Sequence, residues 1–141
     1  MSSVPLRPVT VLELSGEVRR RGNRLITHTL VLQDDILRRF RLPLGPCEAM
    51  GIRVVMQNEL VPRPITHDLI ANVLQRLGGE LDSVIIQRTG NSYIAKVTVK
   101  INNGTYSVEG SYGDAVALAL RTGTTIFATE EVIVEESAAG E

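Results

Sequence analysis

Apolar and polar residues alternate with a period of two through the first 44 residues, and the spacing then becomes helical. The alternating stretches VTVLELSGEV (9–18), LITHTLVLQ (25–33) and ILRRFRLPL (36–44) predict three β-strands. The segments GPCEAMGIRVVMQ (45–57) and THDLIANVLQRLGG (66–79) predict two helices, the second with Thr66 as its N-cap. The apolar stripe of this second helix, which we expect to face the core, consists of Leu69, Ile70, Val73, Leu74 and Leu77.

The same order of elements returns in the second half of the chain. LDSVIIQR (81–88), SYIAKVTVKI (92–101) and TYSVEGS (105–111) predict three strands, GDAVALALRTG (113–123) predicts a helix, and TIFATEEVIVEE (125–136) predicts a short strand that runs into a helix or strand. The repetition predicts an α+β fold, a duplicated unit of three β-strands followed by two helices, with mostly antiparallel sheets. We expect one domain over residues 1–141, with its core at about 9–136 and a frayed tail at 137–141.

Composition narrows the classes of function. Aromatic residues make up only 4% of the chain and Trp is absent, which disfavours an aromatic platform for single-stranded nucleic acid. The single Cys excludes an internal disulfide and argues for a reducing compartment. No apolar run approaches the ~20 residues of a membrane-spanning helix, and no signal-peptide segment stands at the start. We therefore expect a cytoplasmic protein without a membrane anchor.

The net charge of −1 hides an uneven distribution. Residues 1–63 hold 10 basic and 6 acidic residues, whereas residues 64–141 hold 5 and 10. The candidate nucleic-acid-binding residues of the basic part are Arg19, Arg20, Arg21, Arg38, Arg39 and Arg41. Two interpretations stay open: a solvated loop beside a charge-protected edge strand, or one face that binds DNA or RNA with strong salt dependence.

Candidate catalytic residues stand at three predicted helix starts. The acids are Glu48, Asp68 and Asp114, with His67 as candidate base and Arg63 or Arg121 as candidate phosphate clamp. Carboxylates and histidine suit a divalent metal such as Mg²⁺ or Mn²⁺, but no metal site is defined by spacing. The alternative is structural, because acids at helix starts complement the helix dipole. His67 and Asp68 point about 100° apart on a helix, so we expect one of them, preferably His67, to act directly.

Four segments together resemble a known family. RLPLGPCEAMGI (41–52), RPITHDLI (63–70), GDAVALALRTGTTIF (113–127) and EEV (130–132) are similar, in order and spacing, to the bifunctional nuclease domain family. The resemblance covers about residues 9–136 and implies the duplicated fold described above and a nuclease-like activity on DNA and RNA. There are two departures. Ser111, Tyr112 and Gly113 occupy the place of an Arg-Pro-Ser run, so an expected phosphate-binding arginine and a hydroxyl are missing, and Cys47 stands where a bulkier or hydroxyl residue is more usual.

The first departure keeps a second hypothesis open. The chain is either a nuclease-like domain or a non-catalytic domain of the same fold that binds a protein or small ligand and has a regulatory role. Val/Ile-rich strands with open sheet edges also predict a homodimer or larger homo-oligomer.

Overall fold

The structure, a computed structural model, describes residues 4–20 and 24–139. The elements within these residues are β1 (Leu6–Arg20), β2 (Arg24–Asp34), β3 (Arg39–Leu44), α1 (Pro46–Met56), α2 (Thr66–Arg76), β4 (Glu80–Thr89), β5 (Ser92–Ile101), β6 (Gly104–Gly110), α3 (Tyr112–Thr122), β7 (Ile126–Thr129) and α4 (Glu130–Ala139). The predicted α+β class is confirmed. The segment 125–136 resolves into a short strand followed by a helix, and α4 continues to Ala139 where a frayed tail was expected.

All seven described strands belong to one sheet, in the order β3-β2-β1-β7-β4-β5-β6. Each half forms its own antiparallel three-strand meander, and β7 joins the two meanders by pairing antiparallel with β1 and parallel with β4. In each meander the strand next to β7 carries a register shift, between Val11 and Glu13 in β1 and between Leu81 and Ser83 in β4. The shared strand order and the shared irregularity agree with the predicted duplication.

The hydrophobic core lies on one face of this sheet. Paired residues such as Val84 and Ile126 point to the same side and are buried, as alternation along strands requires. They form one cluster with Ile52 of α1, Val116 of α3 and Ile133 of α4. The helices therefore cover the same face of the sheet. No helix in the described part of the chain is both long and apolar enough to cross a membrane.

Helix α2 departs from its predicted orientation. It begins at Thr66, and its N-cap is Ile65 and not the predicted Thr66. The expectation that the apolar stripe faces the core is wrong for most of its length, because four of its residues are 45–60% exposed: Leu69, Ile70, Val73 and Leu77. The inward line consists instead of His67, Ala71 and Leu74, which are spaced four and three residues apart.

Candidate functional site

The first turns of α1, α2 and α3 meet at one end of the helical layer. Glu48, Asp68 and Asp114 are each the third residue of their helix, and His67 is the second residue of α2. An acid in this position is favoured by the helix dipole alone. What the structure adds is that Glu48, His67 and Asp114, from three separate helices, belong to one hydrogen-bonded group, whereas Asp68 does not.

A chain of four polar side chains forms this group. His67 Nε2 lies 2.9 Å from Asp114 Oδ1, and Ser111 Oγ lies 2.7 Å from Asp114 Oδ2 and 2.9 Å from Glu48 Oε2. The Ser111 hydroxyl has one proton, so it donates to only one of the two carboxylates at a time. Ser111 was not among the predicted site residues. Its signal in the sequence was a serine three residues before an acid at a helix start.

His67 is buried between α1 and α3, with 6% of its surface exposed. Its Nε2 donates to the ionised Asp114, and its Nδ1 is buried without a hydrogen-bond partner among the described residues. The ring fits because residue 51 of α1 is glycine: a Cβ there would lie 2.4 Å from Cε1 and Nδ1 of His67. The imidazole ring is therefore packed against Gly51 of α1 on one side, and its Nε2 is hydrogen-bonded to Asp114 on the other.

Asp114 is a solvent-exposed residue of the group, since 55% of its side chain is exposed. Burial raises the pKa of this carboxyl, but hydrogen bonds from His67 and Ser111 outweigh that effect and the pKa lies below its ordinary value. Asp114 is consequently ionised near neutral pH and presents a negative charge to solvent.

Asp68 and Arg121 form a separate interior pair. Arg121 Nε donates to Asp68 Oδ1 at 2.6 Å, and its Nη1 donates to the carbonyl oxygens of Gly51 at 2.8 Å and Ala117 at 2.9 Å. The hydrogen bond from Arg121, followed by that from the Ile65 backbone N–H, lowers the pKa of Asp68. With 7% of its side chain exposed, Arg121 ties α1, α2 and α3 together. This placement does not favour its predicted contact with phosphate.

A surface groove of about 850 Å³ runs from α1 along α2 to the polar group. Its apolar wall contains Met50, Pro64, Ile65, Leu69 and Ile70, and Cys47, Arg63, His67 and Asp114 also line it. Arg63 is exposed and is the predicted cation that the structure places beside the groove. The groove can thus hold an extended ligand between one cation and one carboxylate.

The family model for the bifunctional nuclease domain matches residues 30–140. This chain belongs to the bifunctional nuclease domain family. The uncharacterized protein MT1877 of Mycobacterium tuberculosis strain CDC 1551 and the uncharacterized protein Rv1829 of strain H37Rv are each 33% identical to it over 93 residues. The similar region covers 65% of this chain and 55% of each relative, so the chain matches about half the length of these curated proteins.

Of the other candidate arginines in this bifunctional nuclease domain, those whose side chains the structure describes do not line the groove. Arg38 donates to Asp34 at 2.8 Å and to Glu130 at 2.7 Å, which holds the β2–β3 turn against the start of α4. Arg39 and Arg41 are exposed and alternate with buried residues of β3, so they point to the face of the sheet opposite the helices. Arg21 and the side chains of Arg19 and Arg20 lie outside the described residues.

A three-ligand metal centre does not fit the described residues of this bifunctional nuclease domain. No group of three or more His, Cys, Asp or Glu side chains within them has an arrangement that could hold a metal ion. The donor chemistry explains why: His67 Nε2 is bonded to Asp114, and the Ser111 hydroxyl stands between the two carboxylates.

Proposed function

We propose that this chain is a nuclease-like domain that hydrolyses phosphodiester bonds of DNA or RNA at the group Glu48, His67, Ser111 and Asp114. The observation that carries the proposal is the hydrogen-bonded chain of these side chains at the end of a groove that also contains Arg63. Membership of the bifunctional nuclease domain family supports the reaction class. In this arrangement the groove holds the nucleic acid and Arg63 faces a phosphate.

The geometry favours Asp114, and not His67, as the residue that meets the substrate. The pKa of Asp114 is lowered, which suits it to orienting an attacking water through a hydrogen bond. His67 cannot present a free nitrogen at the surface while Nε2 is bonded and Nδ1 is buried. His67 and Ser111 act as positioning residues that fix the two oxygens of the Asp114 carboxylate.

Cleavage of end-labelled single-stranded DNA, double-stranded DNA and RNA tests the proposal, in chelator and with added Mg²⁺ or Mn²⁺. Asp114→Asn should lower the rate by about 100-fold or more, while the exposed strand residue Asp82→Asn serves as the charge-matched control and should retain it. His67→Gln, whose amide can also donate to Asp114, should retain more activity than His67→Ala. Wild-type protein that cleaves none of these substrates under any of these conditions would rule out the nuclease proposal.

A non-catalytic binding role is the second candidate, and the exposed apolar residues of α2 favour it, because such a surface is typical of an interaction site. Under this alternative the groove binds a protein or ligand. The wild-type protein then cleaves no nucleic acid, and Asp114→Asn weakens only the binding. We also propose, as part of either function, that the chain works as a homodimer or larger homo-oligomer. The single Cys supports a reducing, cytoplasmic compartment.

Nucleic-acid binding itself can be tested apart from cleavage. Arg39 and Arg41 are exposed on the sheet face, so Arg39→Glu, Arg41→Glu should weaken DNA or RNA binding and reduce its salt dependence if that face contributes. Arg63→Glu tests the groove in the same assay. Affinity that ignores salt, and survives both changes, would favour the binding-module alternative.

A further inference from the structure

Helix α2 presents an apolar stripe to solvent. Leu69, Ile70, Val73 and Leu77 lie on its outer side and are about half exposed, while Leu74 on the other side packs on the core. A stripe of this kind on an amphipathic helix normally faces another apolar surface. Within the described residues no element covers it.

A second uncovered apolar surface lies on the outermost strand, β6. Tyr106 pairs with Val99 of β5 and Val108 pairs with Val97, and both valines pack against the core. Directly paired residues share a face, so Tyr106 and Val108 belong to the helix-bearing face of the sheet. Helix α3 packs on β4 and β5 but leaves β6 open, and both side chains are 56% exposed.

The two edges of the sheet differ in their protection. Strand β3 ends one edge with two arginines and Pro43, features that discourage pairing or association at an edge. Strand β6 ends the other edge and carries neither proline nor a basic residue, with Glu109 as its single charge. The edge that lacks protection is therefore the edge that also exposes apolar side chains.

We propose that a second copy of this chain covers both surfaces, with α2 of each copy lying on the β5–β6 face of the other about a two-fold axis. A helix packed on a sheet face is the contact that already builds this core, and a two-fold axis forms it twice. This one arrangement covers both surfaces, whereas pairing α2 with α2, or β6 with β6, brings together only one kind of surface. The six residues are 45–60% exposed, so together they offer on the order of 600 Å² per copy, the larger part of the ~800 Å² per partner of a standard interface.

The inference rests on the homo-oligomer part of the proposed function and is independent of nuclease chemistry. It also has a consequence for the groove. Leu69 and Ile70 belong both to the stripe and to the groove wall, so a partner seated on α2 would form part of that wall.

Light scattering after size-exclusion chromatography, at micromolar protein concentration, tests the proposed dimer interface. Wild-type protein should be a dimer, and Val73→Asp or Val108→Asp should each yield monomers whose circular dichroism shows an intact fold. Leu37→Asp is the matched control, since Leu37 is 74% exposed in the β2–β3 turn away from both surfaces, and it should remain dimeric. Monomeric wild-type protein would overturn the assembly itself. Dimers that survive both aspartates would overturn this interface and leave the assembly standing.

Disulfide trapping tests the pairing, in a Cys47→Ser background that removes the native thiol. A tagged Val73→Cys chain is mixed with an untagged Val108→Cys chain and oxidised. The proposal expects a cross-link between the two kinds of chain and little within each kind. A dominant cross-link between two Val73→Cys chains would show α2 packed on α2, and one between two Val108→Cys chains would show β6 paired with β6. Either result would overturn the proposed arrangement.

Discussion

Replacing Gly51 by alanine is the sharpest test of how the candidate site is built. The glycine lies within α1, and the His67 ring occupies the space in which its side chain would stand. A Cβ at this position would lie 2.4 Å from both Cε1 and Nδ1 of the ring, far inside a normal contact. Because His67 is buried, the ring cannot swing into solvent without leaving its place beside Asp114.

Two opposing effects set the size of the change. Alanine is a better helix former than glycine by about 1 kcal/mol, whereas forcing an extra methyl into a packed site costs about 1–3 kcal/mol. The clash is the larger effect here because the atoms that must move belong to a rigid, enclosed ring. We therefore expect Gly51→Ala to lower the free energy of unfolding by up to about 2 kcal/mol. Gly110→Ala is the control, since no atom lies within 4 Å of its Cβ position.

Urea unfolding followed by circular dichroism provides the measurement, and a double-mutant cycle isolates the cause. In a His67→Ala background the ring is gone, so Gly51→Ala should become neutral or stabilising by up to about 1 kcal/mol. If Gly51→Ala destabilises both backgrounds equally, the glycine is needed for some reason other than the space occupied by His67. The His67 ring would then not be what requires glycine at position 51.

Three further predictions use the same unfolding assay. Arg121→Ala should cost about 3 kcal/mol, because it removes the guanidinium partner of the Asp68 carboxylate and the hydrogen bonds that tie α2 to α1 and α3. Because the pKa of Asp68 is lowered in the folded chain, its ionised form stabilises the fold at pH values above its unfolded pKa of about 4. This stability is lost as the pH falls through the folded pKa. Asp68→Asn should therefore reduce the decline in the free energy of unfolding between neutral and acid pH. Arg38→Ala should cost about 2–4 kcal/mol, since the Asp34 side chain beside it is fully buried, whereas Arg39→Ala should stay within about 0.5 kcal/mol.

Local patterns were sufficient for most elements of the fold. Alternation located six of the strands, and helical spacing located α1, α2 and α3. The position of β7 between the two halves was not predictable, because it depends on pairing with residues far along the chain. The orientation of α2 also escaped prediction, since a helix with apolar residues on one side and His67, Ala71 and Leu74 on another offers two candidate inner faces.

The sequence predicted which residues belong to the candidate site better than it predicted how their side chains are hydrogen-bonded. Acids at helix starts are visible in the sequence, but the meeting of α1, α2 and α3 follows from tertiary packing. Because a helix dipole favours any acid in the first turn, it does not distinguish Asp68, which is paired with Arg121, from Asp114, which bonds to His67. Likewise, counting arginines could not reveal that Arg38 and Arg121 form partly buried ion pairs.

The difference between the three acids can be traced to the residue that precedes each helix. Before α1 and α2 the N-caps are Gly45 and Ile65, and their backbone N–H groups donate to Glu48 at 3.0 Å and to Asp68 at 2.9 Å. Before α3 the N-cap is Ser111, whose hydroxyl accepts the N–H of Asp114 at 3.1 Å. The Asp114 carboxylate bonds to that hydroxyl and to His67 and has no bond to the backbone of its own helix start. Asp68 thus caps its own helix through the Ile65 N–H. At α3 the Ser111 hydroxyl takes the capping role, and the Asp114 carboxylate faces solvent beside the groove.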